Sequence, residues 1–329
     1  GRWRIEPGRG AYQDGSTYAN YGAFLLAEST VLRHVEGHVL RAAAGYRFHG
    51  MAGSAPAQGE RAAVDFDHQG HVVMASVRYH YLDQVTAALN YSQGFRAPNL
   101  AEAVQLGDTG KFFHIPNPGL KPERSDTIEL LARARHWRLT GGVSLWVSLL
   151  DDLVKRTQTT YQGQTTVGGK DVVWNVNGER GLLWGAEARA ELRIAPRLTL
   201  AGHITYTWGE ENVPGGDDVP LSRVPPLFGQ LSLRYDTPRL GPVQGYVLLY
   251  MRAAAGQDRL SPEDEKDARI PGGGTPGWAS VNLALGLTAW RRLRLGLAVE
   301  NVLDKAYKYH GSGVYAPGTN AVLSLSAAL

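Results

Sequence analysis

Apolar and polar side chains alternate one by one along most of this chain. The pattern is clearest in residues 278–329. There Val281, Leu283, Leu285 and Leu287 alternate with Asn282, Ala284, Gly286 and Thr288. After a tight turn at Trp290-Arg291, Leu293, Leu295, Leu297 and Val299 alternate with Arg294, Gly296, Ala298 and Glu300. A period of two predicts β-strands, because successive side chains point to opposite faces. The alternation outlasts an ordinary strand of about five or six residues. It approaches the roughly 9–11 residues that a tilted strand needs to cross a bilayer.

The same signature predicts strands near residues 18–30, 38–49, 71–81, 85–92, 127–135, 143–149, 173–194, 200–208, 230–235 and 243–253. With the last three, that makes about thirteen strands. The connections alternate too. Residues 50–70, 94–122, 157–172, 209–226 and 254–277 read as long polar loops rich in Gly and Pro. Turns near 82–84, 136–137, 195–197 and 290–291 are only a few residues long. Residues 1–17 also read as loop. Long loops at one end and tight turns at the other are the habit of up-and-down outer-membrane barrels. No helical stripe with caps competes with this reading.

The polar faces choose the medium. Arg41/Arg47, Glu129/Arg133/Arg135 and Glu187/Arg189/Glu191/Arg193 each set charges two residues apart along one strand face. A dry sandwich core would make these charges very costly, whereas a water-filled lumen accepts them. The opposite aliphatic faces then meet lipid. Tyr79, Tyr81, Tyr91, Trp184, Tyr206, Trp208 and Tyr235 stand where interfacial girdles would be.

Composition narrows the function classes. The chain has 329 residues, 40 of them Gly, and no window long and apolar enough for a transmembrane helix. A net charge of +3 is too small a bias to argue for nucleic acid. With no Cys there is no disulfide framework and no thiolate chemistry. The ten His residues are scattered without ligand spacing, so no metal site is read. The acidic runs Glu210-Glu211…Asp217-Asp218 and Glu263-Asp264-Glu265…Asp267 read as solvated loops in preference to a Ca²⁺ site. No Ser/His/Asp order or carboxylate pair supports catalysis, so an enzyme is not expected.

Four segments carry a resemblance. The first is Tyr91-Ser92-Gln93-Gly94-Phe95-Arg96-Ala97-Pro98-Asn99-Leu100, followed by Asn117-Pro118-Gly119-Leu120-Lys121-Pro122-Glu123-Arg124-Ser125 and Glu129. The second is Trp174-Asn175-Val176-Asn177-Gly178 with Gly185-Ala186-Glu187. The third is Leu221-Ser222-Arg223-Val224-Pro225-Pro226. The fourth is Val299-Glu300-Asn301-Val302-Leu303-Asp304-Lys305-Ala306-Tyr307 with Pro317-Gly318-Thr319-Asn320. In this order they resemble the C-terminal barrel of TonB-dependent outer-membrane receptors. The prolines cannot donate to a strand ladder and belong at rims and loops. Asn301 and Asp304 can satisfy loop backbone groups with their side chains. These motif residues are therefore read as structural.

The resemblance implies an all-β, antiparallel, transmembrane up-and-down β-barrel, with about 13 strands of a 22-stranded, plugged barrel. Residues 1–329 would be the C-terminal part of the barrel domain, with the plug absent. It implies an outer-membrane receptor taking up a scarce bulky ligand with energy from TonB. A ferric siderophore leads; cobalamin, haem or a glycan are the other classes. Partners would be outer-membrane lipid, the TonB complex through the missing N-terminal part, and a small-molecule or metal-chelate ligand. No resident cofactor is expected, although the cargo can bring a metal, and the complete receptor would be a monomer. Ligand contacts are expected in the long loops, with Phe112, Phe113, His114, Tyr161 and Trp174 as amphipathic candidates. The rival readings are a passive porin-like channel and a soluble β-sheet binding module.

Overall fold

The computed structural model describes residues 2–4, 13–34, 36–59, 62–213 and 215–327. In chain order its elements are β1 (Arg2–Arg4), β2 (Thr17–Arg33), β3 (His38–Ala55), β4 (Val64–Tyr81), β5 (Val85–Arg96), α1 (Leu100–Val104), β6 (Gly107–Asp108), β7 (Phe113–His114), β8 (Glu123–His136) and β9 (Leu139–Asp151). They continue with β10 (Val154–Gln158), β11 (Thr166–Val167), β12 (Lys170–Asn177), β13 (Gly181–Ala195), β14 (Leu198–Glu211), β15 (Val219–Pro220) and β16 (Phe228–Asp236). The last are β17 (Val243–Ala254), α2 (Pro262–Glu265), β18 (Trp278–Ala289), β19 (Leu293–Glu300) and β20 (Asn320–Ala327).

One 15-stranded sheet forms a wall in which β2–β5, β8, β9, β13, β14 and β16–β20 pair antiparallel with their neighbours. These are the thirteen long strands that the alternation predicts, of 8 to 18 residues each. The sheet is open, with β1 and β20 at its ends. Its connections alternate without exception. Residues 34–37, 82–84, 137–138, 196–197, 237–242 and 290–292 turn at one end. Residues 56–63, 97–122, 152–180, 212–227, 255–277 and 301–319 fill the other.

Register fixes the faces. Val77, Leu89, Leu130 and Leu145 lie side by side across four strands. They are exposed by 48, 53, 51 and 51%. Among the described residues the two helices have only five and four residues, and neither a helix nor a second sheet covers this face. An aliphatic band this continuous is sized for hydrocarbon, not water. No helix is long and apolar enough to cross a membrane, so any crossing is by strands. All seven aromatics of the expected girdle share this outward face. Tyr91 heads one row of it, running through Ile128, Val147 and Trp184 to Trp208.

The opposite face is polar and internally bonded. Ser76 donates to Asn90 at 2.6 Å. Asn90 donates to Glu129 at 3.0 Å, and Ser144 donates to the other Glu129 oxygen at 2.6 Å. Glu129 thus ties four strands together along the inner wall. Among the described residues the one compact apolar core, Ala55, Phe66, Leu100, Ala103 and Val104, lies where α1 packs on the loop end of β3 and β4.

Four sequence expectations need correction. The loop expected at 50–70 is only 56–63, because β3 and β4 run on to Ala55 and back from Val64. Above the bilayer both strand faces are wet, so nothing there imposes the alternation. Residues 173–177 are not wall: they end β12, and β13 starts afresh at Gly181. The loop expected at 157–172 contains β11 and parts of β10 and β12. In the first seventeen residues Arg2–Arg4 forms β1 against β2, while residues 5–12 lie outside the described residues.

Candidate functional site

Above the wall the long loops build a second, smaller sheet. Its strand order is β10-β12-β7-β6, with β11 on β12. Two segments 59 residues apart meet here in parallel, Phe113 opposite Val172 and His114 opposite Val173. On the other side Thr157 lies opposite Trp174. The structure thus gathers all five candidate ligand residues into one layer. Phe113 and Tyr161 rings stand 5.3 Å apart, and Phe112 and His114 rings 6.4 Å apart.

Only two of the five line the cavity that this layer shares with α1. That cavity holds about 500 Å³ and includes Phe112 and His114 with Lys111, Arg156, Glu102 and Asn175. Phe113 and Trp174 lie in the sheet and Tyr161 in the loop between β10 and β11, and none of the three lines the cavity. The Arg156 guanidinium lies over the Phe112 ring at 4.9 Å, and the Lys111 ammonium at 5.2 Å. Two cations on one ring give a cationic, flat-faced recess. Glu102 does not cancel it. Arg96 holds that carboxylate at 3.0 and 3.1 Å, and the Asn99 amide donates to it at 2.9 Å. Neither Lys111 nor Arg156 has a carboxylate within ion-pair range among the described residues. Desolvation lowers the Arg156 pKa with no acidic neighbour to offset it. Burial, and then Arg156, lower that of His114, which keeps its ring neutral near pH 7.

The motif residues frame this recess. Arg96, at the end of β5, bridges Glu102 on α1 and Glu123 at the start of β8. Glu123 also accepts from the Val154 amide at 2.7 Å, which ties in β10. Gly94 leaves room for Ser125, since a Cβ there would stand 2.3 Å from its hydroxyl. The Phe95 ring fills the space over Gly70, where a Cβ would meet it at 2.4 Å. Ala97 and Pro98 are buried under the loop layer, as is Leu120. Asn117 donates to the Asn175 carbonyl at 2.8 Å. Pro118 and Pro122 bracket this run outside any strand. Pro225 and Pro226 precede β16 outside any strand, with Gln257 donating to the Val224 carbonyl at 2.7 Å. Asn301, at φ +51°, bonds the Lys305 amide and carbonyl and the Pro317 carbonyl. Asp304 accepts from the Thr319 amide at 3.0 Å.

The acidic runs are also accounted for. Glu211 pairs with Lys155 at 2.7 Å, and Asp267 with Arg223 at 2.7 Å. Asp264 accepts from Ser222, Arg223 and Ser261. Among the described residues no group of three or more His, Asp or Glu could hold a metal ion.

Sequence reasoning missed Lys111 and Arg156. The adjacency of Lys111 to Phe112 was a usable signal; the approach of Arg156 depends on the parallel pairing. It also missed an aromatic cluster at the loop end of the wall, where Trp278 stacks on Tyr307 at 4.1 Å and meets Tyr309 at 5.1 Å.

Comparison with known proteins bears on these features. The family described as TonB dependent receptor-like, beta-barrel matches residues 3–302. No curated protein sequence matches. Among solved structures, the copper transporter OprC is 18% identical with a TM-score of 0.75, over 96% of this chain and 48% of its own. The FrpB iron transporter of Neisseria meningitidis (F3-3 variant) is 15% identical with a TM-score of 0.71, over 96% and 46%. The Serratia marcescens hemophore receptor HasR, solved with its hemophore HasA and heme, is 16% identical with a TM-score of 0.69, over 98% and 53%. The chain spans about half the length of these solved receptors. The matched family spans nearly the whole wall and its loop layer, and the open sheet with its lipid-facing band has that family's fold. The chain belongs to the TonB-dependent receptor β-barrel family and resides in the outer membrane.

Proposed function

We propose that residues 1–329 supply the C-terminal barrel wall and external loop layer of a transporter. It would take a scarce, bulky ligand from outside the cell with energy delivered through TonB. The observation that carries this reading is the recess between α1 and the loop sheet. There Lys111 and Arg156 converge on Phe112 with no carboxylate in ion-pair range among the described residues. Such a recess suits a ligand with anionic oxygens and a flat face. Ferric chelates of the siderophore class combine both, and the iron, copper and heme named for the similar receptors are consistent with a metal-bearing cargo.

The test is uptake of radiolabelled iron by cells expressing the receptor, supplied as a panel of ferric chelates, with and without TonB. Uptake of one anionic chelate that needs both TonB and Arg156 is expected. TonB-independent uptake would instead identify a passive channel.

A further inference from the structure

The turn end of the wall is charged in a way that the loop end is not. Four successive turns along the sheet, 137–138, 196–197, 237–242 and 290–292, carry Arg138, Arg197, Arg239, Arg291 and Arg292. They carry no acidic residue, and all five arginines are exposed. Among the described residues none of the five forms an ion pair. Asp236, which ends β16 beside one of these turns, is already held by Arg234 at 2.8 Å. At the loop end the cations are matched: Lys155, Arg180 and Arg223 each face a carboxylate at 2.7 to 2.9 Å.

Two of the four turns also present a tryptophan. Trp137 and Trp290 are among the exposed large side chains of the wall, and neither belongs to the expected girdle. Turn geometry does not favour them there. Trp137 sits at φ +49°, Trp290 at +50° and Arg291 at +61°. The left-handed region crowds Cβ against the backbone, and a tight hairpin prefers Asn or Gly in it. A bulky ring kept in that conformation, and left bare by the fold, is explained by contact with something outside the fold.

The adjoining strands identify the medium. Leu139, two residues from Trp137, and Leu287, three residues from Trp290, lie in the exposed aliphatic band. At about 3.3 Å per residue, each ring stands within roughly 10 Å of the hydrocarbon-facing side chains. That is headgroup depth, where tryptophan and arginine both settle. The Arg138 guanidinium lies over the Trp137 ring at 4.3 Å, and its Nη1 donates to the Ile194 carbonyl at 3.3 Å. This cation therefore spans two neighbouring turns with most of its N–H groups uncommitted. The Trp290 amide donates to the Pro242 carbonyl at 3.2 Å. That bond sets turn 290–292 against turn 237–242, which adds Arg239 and exposed Leu240.

We infer that these four turns form a binding rim for anionic phospholipid headgroups of the periplasmic leaflet. The two tryptophans sit at the acyl boundary and the guanidinium groups take the phosphates, whose paired oxygens match their fork of donors. Anionic headgroups are selected over zwitterionic ones, because the rim offers no free carboxylate to an ammonium and its positive field is uncancelled. The rim lies at the opposite end of the wall from the ligand recess. It needs only the membrane placement, so it can fail while the transport reading stands, and the reverse.

The test uses the complete receptor, purified with equal mole fractions of phosphatidylglycerol and phosphatidylethanolamine. Native mass spectrometry then counts the lipids it retains. Phosphatidylglycerol should exceed phosphatidylethanolamine about threefold or more, as several basic side chains at a membrane surface imply. Arg138→Gln with Arg197→Gln should lower that ratio, as should Arg239→Gln with Arg291→Gln and Arg292→Gln. All five substitutions together should bring it near one. Because these side chains are exposed and unpaired, every variant should keep the wild-type heat-modifiable shift on detergent gels. A second measurement leaves the charges in place. In nanodiscs of phosphatidylglycerol brominated at the upper acyl carbons, the quenched share of tryptophan fluorescence should fall when Trp137→Phe and Trp290→Phe are combined. Equal retention of the two lipids by the wild type would overturn the rim, as would a ratio indifferent to all five substitutions. An unchanged quenched share would also overturn it, by placing both rings in water, where an acidic periplasmic protein would be the fitting partner.

Discussion

Asn177 holds the backbone of Lys121 with both ends of its side-chain amide. Its Oδ1 accepts from the Lys121 amide at 2.7 Å, and its Nδ2 donates to the Lys121 carbonyl at 2.9 Å. The same nitrogen donates to the Asp152 carbonyl at 2.8 Å. Lys121 precedes Pro122, which favours an extended backbone with both polar groups turned aside. The amide of Asn177 offers a donor and an acceptor in the spacing of a neighbouring strand, so it stands in for a ladder rung. Two runs that look like separate motifs, Asn117 to Glu123 and Trp174 to Gly178, are one joint.

Asn177→Leu should therefore loosen the loop layer while leaving the wall intact. Three hydrogen bonds are lost, each worth about 1 kcal/mol net, so local opening should become easier by roughly 3 kcal/mol. Hydrogen exchange should rise in residues 117–122 and 170–177 and stay unchanged in β16–β19. Unchanged exchange in both regions would refute the joint.

The Arg96 clamp predicts an acid sensitivity of a definite sign. Burial pushes the Glu123 carboxyl up, but the Arg96 guanidinium and the Val154 amide outweigh it, so its folded pKa lies below the ordinary glutamate value. A depressed carboxylate pKa adds stability that is complete above the unfolded pKa and lost as pH falls through the folded one. The loop layer should therefore be tight at pH 7 and release below about pH 4, with the lower limit set by that depressed pKa. Protease cleavage within 97–122, followed against pH with an acid-tolerant protease, reads this directly. Glu123→Gln should raise cleavage at pH 7 and flatten the profile. An identical profile in wild type and variant would dismiss the clamp.

The wall was legible in the sequence and the loop layer was not. In the membrane band each strand touches oil on one face and water on the other, so Leu89, Leu130 and Leu145 had to alternate with Asn90, Glu129 and Ser144. No such contrast acts above the bilayer. There Phe113 and His114 pair in parallel with Val172 and Val173, a non-local match that no local pattern announces. The amphipathic residues Phe112 and His114 were recognisable as candidates. Arg156 was not, because an arginine in a polar loop has no signature until its partner ring is located. The motifs told which residues fold the rim, and for the same reason said little about the cargo.

Gly185 offers a test of the inner wall. A Cβ there would stand 2.5 Å from the Trp146 ring and 2.8 Å from the Tyr206 carbonyl oxygen. The ring can move, but the backbone oxygen cannot move without breaking the ladder. Gly185→Val should cost about 1–3 kcal/mol. The shift from the compact to the unfolded band on detergent gels should then occur at a lower temperature. Adding Trp146→Ala should recover only part of the loss, because the carbonyl clash remains. Full recovery would show that the glycine serves the ring alone.

The two margins of the sheet set a last expectation. Along β2 only Arg2–Arg4 pairs on the outer side, opposite residues 17–19, so residues 20–33 have no strand partner there among the described residues. At the other margin β20 pairs only with β19. Phe24 and Leu25 are consecutive and point to opposite faces, yet they are 82 and 71% exposed because no neighbour covers either side. Leu323 and Leu325 on β20 are similarly bare, at 71 and 70%. Every unpaired amide or carbonyl in hydrocarbon costs several kcal/mol, and each margin runs through the membrane band. Residues 1–329 produced by themselves should therefore fail to insert as single molecules, and should associate edge to edge instead. Size-exclusion chromatography with light scattering, in detergent, should show large and polydisperse species. A monodisperse monomer with a heat-modifiable gel shift would mean that β2 and β20 close on each other, and that thirteen strands suffice for a barrel.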